Sequence, residues 1–385
     1  MGKLGKKKQS GSNWLGILFF MLIGAGCGLL MMLCLSHLKD TGTPNGRVLL
    51  YAVLLMLGMY AVIMVQLIIH EAGHLVFGLL SGYRFNSFRI FNLMWLKENG
   101  RVRLKKLSIA GTGGQCLMAP PDLKDGKLPV LLYNFGGAIV NMVSGIICLA
   151  LALMCPPHSV GQTFLLFMTI VGISFALMNG LPLAVGPVNN DGRNAIDMTR
   201  DPEAMKAFWI QMKANELISE GVRLKDMPAE WFTPPSAEGM KNGITSTVGV
   251  LACNRLMDEH RFEEADRRMI RTLSSGNGVN GLYRALLTCD RMYVELIISN
   301  RAEALDRMRT KNQLKIMKAM KNYPSVLRTE YVYALLQEKD PGKAENVRKQ
   351  FDRYAGSYPY ACEIEAEREL MSIADERANA DSDNK

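Results

Sequence analysis

The sequence predicts a mainly α-helical protein. A polytopic membrane bundle of about four spans, with a small membrane-associated β element, precedes a C-terminal cytoplasmic all-α domain of helical-repeat-like character. Three observations predict this. Four apolar runs of membrane-spanning length lie within the first 200 residues. The basic residues flanking those runs collect on one side. Past Arg200 the apolar runs stop, and Lys, Arg, Asp and Glu recur at helical spacing. At 385 residues the chain has room for both parts.

Residues 1–13 form a basic tail containing Lys3, Lys6, Lys7 and Lys8. Residues 14–38 make the first span, long enough to cross a bilayer at about 1.5 Å per residue. A cleaved signal peptide competes for this segment because of its basic start. The run exceeds the ~7–15 apolar residues of such a leader, and no small-x-small site follows at Cys34-Leu35-Ser36-His37, which favours a retained span. Turn residues fill 40–46 before the second span, 48–80. Residues 84–91 alternate, Asn99-Gly100 is a hairpin turn, and 101–104 alternate again. A β element over about 83–118 follows, with a Gly- and Pro-rich loop over 111–121. The third and fourth spans are 128–155 and 163–185, joined at Pro156-Pro157-His158. Residues 14–200 thus read as one membrane domain.

A net charge of +9 suits a nucleic-acid surface, but its placement suggests another cause. Arg84, Arg89, Lys97, Arg101, Arg103, Lys105, Lys106, Lys124 and Lys127 lie between the second and third spans, whereas the opposite-side segments 39–47 and 156–162 hold only Lys39 and Arg47. This positive-inside pattern predicts a multi-pass cell-membrane protein with both termini cytoplasmic. No nucleic-acid fingerprint accompanies the basic block, so no nucleic-acid partner is expected. The eight cysteines are scattered without a C-x-x-C pair and read as reduced small hydrophobes.

Asp201-Pro202-Glu203 is a good helix start, and Thr233-Pro234-Pro235-Ser236 a linker. Glu264-Ala265, Glu303-Ala304 and Lys343-Ala344 recur about forty residues apart, the range of tetratricopeptide-like helical hairpins. An irregular bundle with coincidental pairs competes with that reading. The helical domain covers 201–374, and 375–385 reads as a disordered tail.

The chemistry sits in the second span, at His70-Glu71-Ala72-Gly73-His74, where Glu71 is the only acid between 48 and 80. Residues four apart on a helix share a face, so His70 and His74 can hold a Zn²⁺, with Glu71 one step round as general base to its water. Ionisable groups in a membrane span are costly unless paired or metal-bound, so the cluster reads as functional. A buried amphipathic helix with two satisfied histidines is the competing reading. It fits poorly, because the run is apolar all round. A third ligand is needed. His37 and His158 fall on the outer side and His260 in the soluble domain. The best-placed acid is Asp191, in Asn189-Asn190-Asp191-Gly192, after a segment that Pro182, Gly186 and Pro187 break.

The HEAGH run in a span, then Gly137-Ala138-Ile139-Val140-Asn141, then Asn179-Gly180-Leu181-Pro182 leading to Asp191-Gly192, resembles the site-2 protease family of intramembrane zinc metalloproteases. The resemblance covers residues 48 to about 200. It implies Zn²⁺ held by His70, His74 and Asp191, Glu71 as base, a helper role for Asn141, and a membrane-associated β segment between the first two core spans. Ala138 stands where the family has proline. The stretch from Asn179 to Asp191 is a few residues longer than usual, which leaves Asp197 as the alternative ligand. The implied function is zinc-dependent cleavage of a membrane-spanning or membrane-proximal peptide bond, in regulated intramembrane proteolysis or the processing of a small precursor. In that chemistry Asn141's amide is expected to donate to the developing oxyanion, a glue between helices being its competing role. The substrate would be a membrane-embedded or lipid-proximal polypeptide. Pairing it as an extended strand with residues 83–106 would expose the peptide bonds that a helix hides. Proline substitutions there are expected to cut activity without changing zinc content.

Two other classes compete. A catalytically vestigial, membrane-anchored scaffold would bind a cytoplasmic protein partner through the helical domain, but intact His70, Glu71, His74 and Asp191 argue against decay. A four-span channel or carrier would need polar faces on several spans, and the first and fourth are nearly all apolar.

Overall fold

The structure, a computed structural model, describes residues 10–109, 112–182, 189–275 and 278–383. The expectations resting on residues 1–9, Gly186 and Pro187 lie outside them. The chain divides into two compact units. One holds the chain up to Tyr83 together with Pro129–Arg200, and the other holds Arg84–Leu128 with Asp201 onward.

The first unit contains α1 (Ser10–Asp40), α2 (Asn45–Leu80), α3 (Val130–Leu153), α4 (Val160–Gly180) and α5 (Asp191–Arg200). α1 to α4 are each long and apolar enough to cross a membrane, within Phe20–Asp40, Asn45–Leu80, Val130–Leu153 and Val160–Gly180. α3 packs between α2 and α4. Their outward surfaces are apolar, with Leu49, Leu57, Leu80, Ile146 and Leu153 all exposed. Exposed apolar surface on this scale suits a lipid environment, so the unit is membrane-associated. The interior of α2 reverses the usual arrangement. Its buried stripe runs Val62, Gln66, His70, His74, Gly78 at four-residue spacing, so the polar side chains are the enclosed ones. α4 stops at Gly180, earlier than the expected 185. Leu181 turns extended because Pro182 follows and clashes with a helical predecessor.

In the second unit, β1 (Arg84–Ile90), β2 (Leu93–Glu98), β3 (Arg101–Lys106) and β4 (Gly114–Ala119) form an antiparallel sheet in the order β3-β2-β1-β4. Asn99 and Gly100, both at positive φ, make the β2–β3 hairpin turn. β4 lies within the segment 111–121 expected as a loop. Its flanking Gly and Pro residues read as loop, while its partner β1 is distant in sequence. Met94 and Leu96 are buried in the same apolar core as the C-terminal helices. The sheet therefore packs with this unit, although the sequence reading grouped it with the spans.

Those helices are α6 (Pro202–Ser219), α7 (Thr245–Asp258), α8 (Phe262–Ser274), α9 (Gly281–Ile298), α10 (Ala302–Met308), α11 (Lys311–Ala319), α12 (Pro324–Val332), α13 (Pro341–Ala355) and α14 (Ala361–Asp383). Asp201 caps α6, accepting from Glu203 N at 2.9 Å, with Pro202 at its first turn. Ala265 on α8 and Ala344 on α13 are fully buried, whereas Ala304 on α10 is only half-buried and Leu305 takes its place. Residues 375–383, expected to be disordered, continue α14. Asp375 pairs with Arg348 at 2.5 Å and Ala374 is fully buried, which anchors the start of this stretch.

Candidate metal centre

His70, Glu71 and His74 project from the buried stripe of α2, and all three are buried. Each imidazole is oriented through its Nδ1. His74 Nδ1 lies 2.8 Å from the Tyr133 carbonyl on α3, and His70 Nδ1 lies 2.7 Å from Asn141 Oδ1. A backbone carbonyl only accepts, so His74 carries a proton on Nδ1 and, as a neutral imidazole, presents a lone pair at Nε2.

The same deduction holds for His70, through a chain of amides. Asn141 Nδ2 donates to the Gln66 carbonyl at 2.9 Å and to Gln66 Oε1 at 2.7 Å. Gln66 Nε2 in turn donates to the Met168 carbonyl on α4 at 3.0 Å. Ser144 Oγ adds a second donor to Gln66 Oε1 at 3.2 Å. Flipping either amide would set two acceptors or two donors face to face, so Asn141 Oδ1 must point at His70. His70 therefore also turns an unprotonated Nε2 inward.

The third group arrives from α5. Asn190 caps that helix, Oδ1 accepting from Arg193 N at 2.9 Å. Its Nδ2 donates to the Met178 and Leu181 carbonyls at the end of α4. Gly192 packs against that end so closely that a Cβ would stand 2.2 Å from the Gly180 carbonyl oxygen. The start of α5 is thereby drawn to the site. Asp191 Oδ2 lies 3.2 Å from His70 Nε2 and 3.4 Å from His74 Nε2, and the two Nε2 atoms are 3.2 Å apart.

With both imidazoles neutral, three electron-rich atoms face one another, and they repel unless a proton or a metal cation lies among them. Ligands about 2.0–2.1 Å from a tetrahedral ion stand about 3.3 Å from each other, the spacing found here. The His70–His74–Asp191 group fits a metal ion.

Asp197, the alternative third ligand, is engaged elsewhere. It pairs with Arg193 one turn away at 2.9 Å and accepts from Asn189 Nδ2 at 3.4 Å. Asn141 differs from its expected role. Both of its N–H groups are taken by Gln66, which leaves none for an oxyanion, and its oxygen holds His70 instead. It is a positioning residue. Gln66 and Asn190 were not singled out in the sequence. For Gln66 the available signal was a lone amide one turn before His70 in a membrane-length apolar run. Gly137, the first residue of the Gly137–Asn141 motif, provides the flat seat for the His70 ring, since a Cβ there would stand 2.5 Å from the ring's Cε1.

No protein-family model, no curated protein and no solved structure matches this chain.

Proposed function

We propose that the chain is an intramembrane zinc endopeptidase of the site-2 protease type, cutting a membrane-spanning or lipid-proximal polypeptide. One observation carries the reading. Inside a helix bundle with an apolar exterior, two imidazole lone pairs and a carboxylate converge at tetrahedral spacing, with the acid Glu71 adjoining His70 in the chain. Of the ions available, zinc suits a set of two histidines and one carboxylate that keeps an open fourth position.

When bound, zinc supplies Lewis acidity, bringing a water's pKa to around 7 and polarising a peptide carbonyl. Glu71, next to His70 in the chain, would serve as the general base, accepting a proton from the attacking water and returning it to the departing amine. Asn141 and the Tyr133 carbonyl keep both imidazoles in the tautomer with Nε2 free. The apolar helices around the site exclude bulk water, which strengthens these interactions. An extended stretch of substrate pairs with the β segment of residues 83–106, exposing its peptide bonds. The placement of basic residues supports a cell-membrane orientation with both termini cytoplasmic.

The test uses the full-length protein in detergent. Wild type should contain roughly one equivalent of zinc and cleave membrane-anchored peptides. Glu71→Gln should keep the metal and lose cleavage by about 10²–10⁴-fold. Undiminished cleavage in that variant, or a wild type that binds no metal, overturns the proposal.

A further inference from the structure

A second concentration of positive charge lies far along the chain from any span. Between Lys311 and Tyr323 the sequence holds Lys311, Lys315, Lys318 and Lys321 and no acid. Steps of four and three residues keep the first three on one exposed face of α11, and Lys321 follows at its end, also exposed. Nothing in the proposed peptidase chemistry uses them.

Lys321 opens onto a groove of about 930 Å³ within the second unit. Three segments distant in sequence wall it: the end of β3 with Lys106, the junction of α11 and α12, and α13. α13 contributes Asn346, Lys349, Gln350 and Arg353, which share one helical face, opposite the buried Ala344 and Phe351. Gln350 Nε2 donates to Asn322 Oδ1 at 3.1 Å and to the Lys321 carbonyl at 3.3 Å. Lys106 N donates to the Ser357 carbonyl, just past α13, at 3.4 Å. These bonds tie the walls together, so the groove is formed before any partner arrives.

Four cations line it, Lys106, Lys321, Lys349 and Arg353, and no carboxylate does. Lys349 has Glu345 at 3.5 Å, an exposed pair that holds it weakly. Among the described residues the other three have no acid within ion-pair reach. Like charges collected around a concave space attract anions into it. The side-chain amides of Asn92 and Asn346 edge the same space and make no hydrogen bond among the described residues, which leaves donors and acceptors open to a peptide backbone. The cations stand on three walls rather than along one flat face, which suits a narrow chain better than a lipid surface. Tyr323 and Tyr354, the aromatic residues of the lining, are half-buried and offer no open platform for stacking bases.

We propose that this groove docks an extended segment of a partner protein rich in Asp and Glu. Its carboxylates pair with Lys106, Lys321 and Arg353, and its backbone bonds the amides along the rim. The inference is independent of the metal centre.

Fluorescence anisotropy with the full-length protein in neutral-lipid nanodiscs tests it. The probes are a labelled hexapeptide of alternating Asp and Glu and its Asn/Gln counterpart. The acidic peptide should bind at least tenfold more tightly than the counterpart. Lys321→Gln/Arg353→Gln should weaken it tenfold or more, and Asn346→Trp, which fills the groove, should block it, with helical circular dichroism unchanged. Removing the same charge from α8, in Arg267→Gln/Arg271→Gln, should change binding less than twofold. Equal losses in the two double variants, equal binding of the two peptides, or no binding at millimolar concentration overturns the proposal. Tighter binding of hexathymidylate, or of phosphatidylserine vesicles at equal charge, would assign the cations to a nucleic acid or a membrane and overturn it as well.

Discussion

Gln66 reaches His70 through Asn141, and the proposed tautomer of His70 depends on that link. In Gln66→Leu the side chain keeps its approximate volume, but Asn141 loses one of its two acceptors and Ser144 loses its long-range one. The Gln66 backbone carbonyl still holds the other Asn141 N–H at 2.9 Å. Loss of a direct outer partner of a metal-bound histidine costs about 10–100-fold in affinity, or about 1.4–2.7 kcal/mol. Gln66 lies one hydrogen bond further out and half of Asn141's restraint survives, so Gln66→Leu should weaken zinc by about tenfold. Asn141→Leu, which strips His70 directly, should approach a hundredfold. Competition against a chromophoric chelator in detergent measures both. The decisive species is the double variant. If Gln66 acts through Asn141, Gln66→Leu/Asn141→Leu binds zinc no more weakly than Asn141→Leu alone. Losses that add, or an unchanged affinity in Gln66→Leu, would refute the relay. Leaving the buried Asn141 N–H unsatisfied should also lower stability by about 1–3 kcal/mol, read separately from the melting curve.

Two further outcomes follow from the geometry. Gly137→Ala puts a methyl where the His70 ring lies, so metal content by mass spectrometry should fall severely with helical circular dichroism retained. Full metal occupancy in that variant would show that the ring is not seated there. In the second unit, Glu367 is raised from 4.5 to about 7, with Arg328, Asp290, Glu363 and Asp258 facing it. Between those two pH values the unfolded chain has released this proton and the folded one retains it, so stability falls as pH rises through the window, by at most about 3 kcal/mol. Thermal melts of Glu367→Gln should lose that portion of the slope, and an unchanged pH profile would contradict the assignment.

Much of the first unit was legible because its signals are local. A backbone crossing hydrocarbon must satisfy its own hydrogen bonds, so long apolar runs become helices whatever surrounds them. Their ends were read less well, since Leu181 obeys the proline after it rather than the hydropathy around it. The pairing of His70 with His74 follows from helical periodicity alone. β4 and the last turns of α14 were misread for the opposite reason. The first is a strand only because β1 pairs with it, and the second begins at Asp375, which Arg348 holds from a distant helix.

The sequence by itself therefore determined the spans, the two imidazoles on one helical face and the acid beside them, all consequences of spacings within a turn or two. Only the tertiary structure decided that Asp191 completes the group while Asp197 turns to Arg193, that Asn141 orients a ring rather than faces a substrate, and that Lys106, Lys321 and Arg353 line one groove. Those outcomes depend on approaches between segments distant in the chain, where a glycine in place of a methyl or the direction of one amide sets ångström distances that no local pattern encodes.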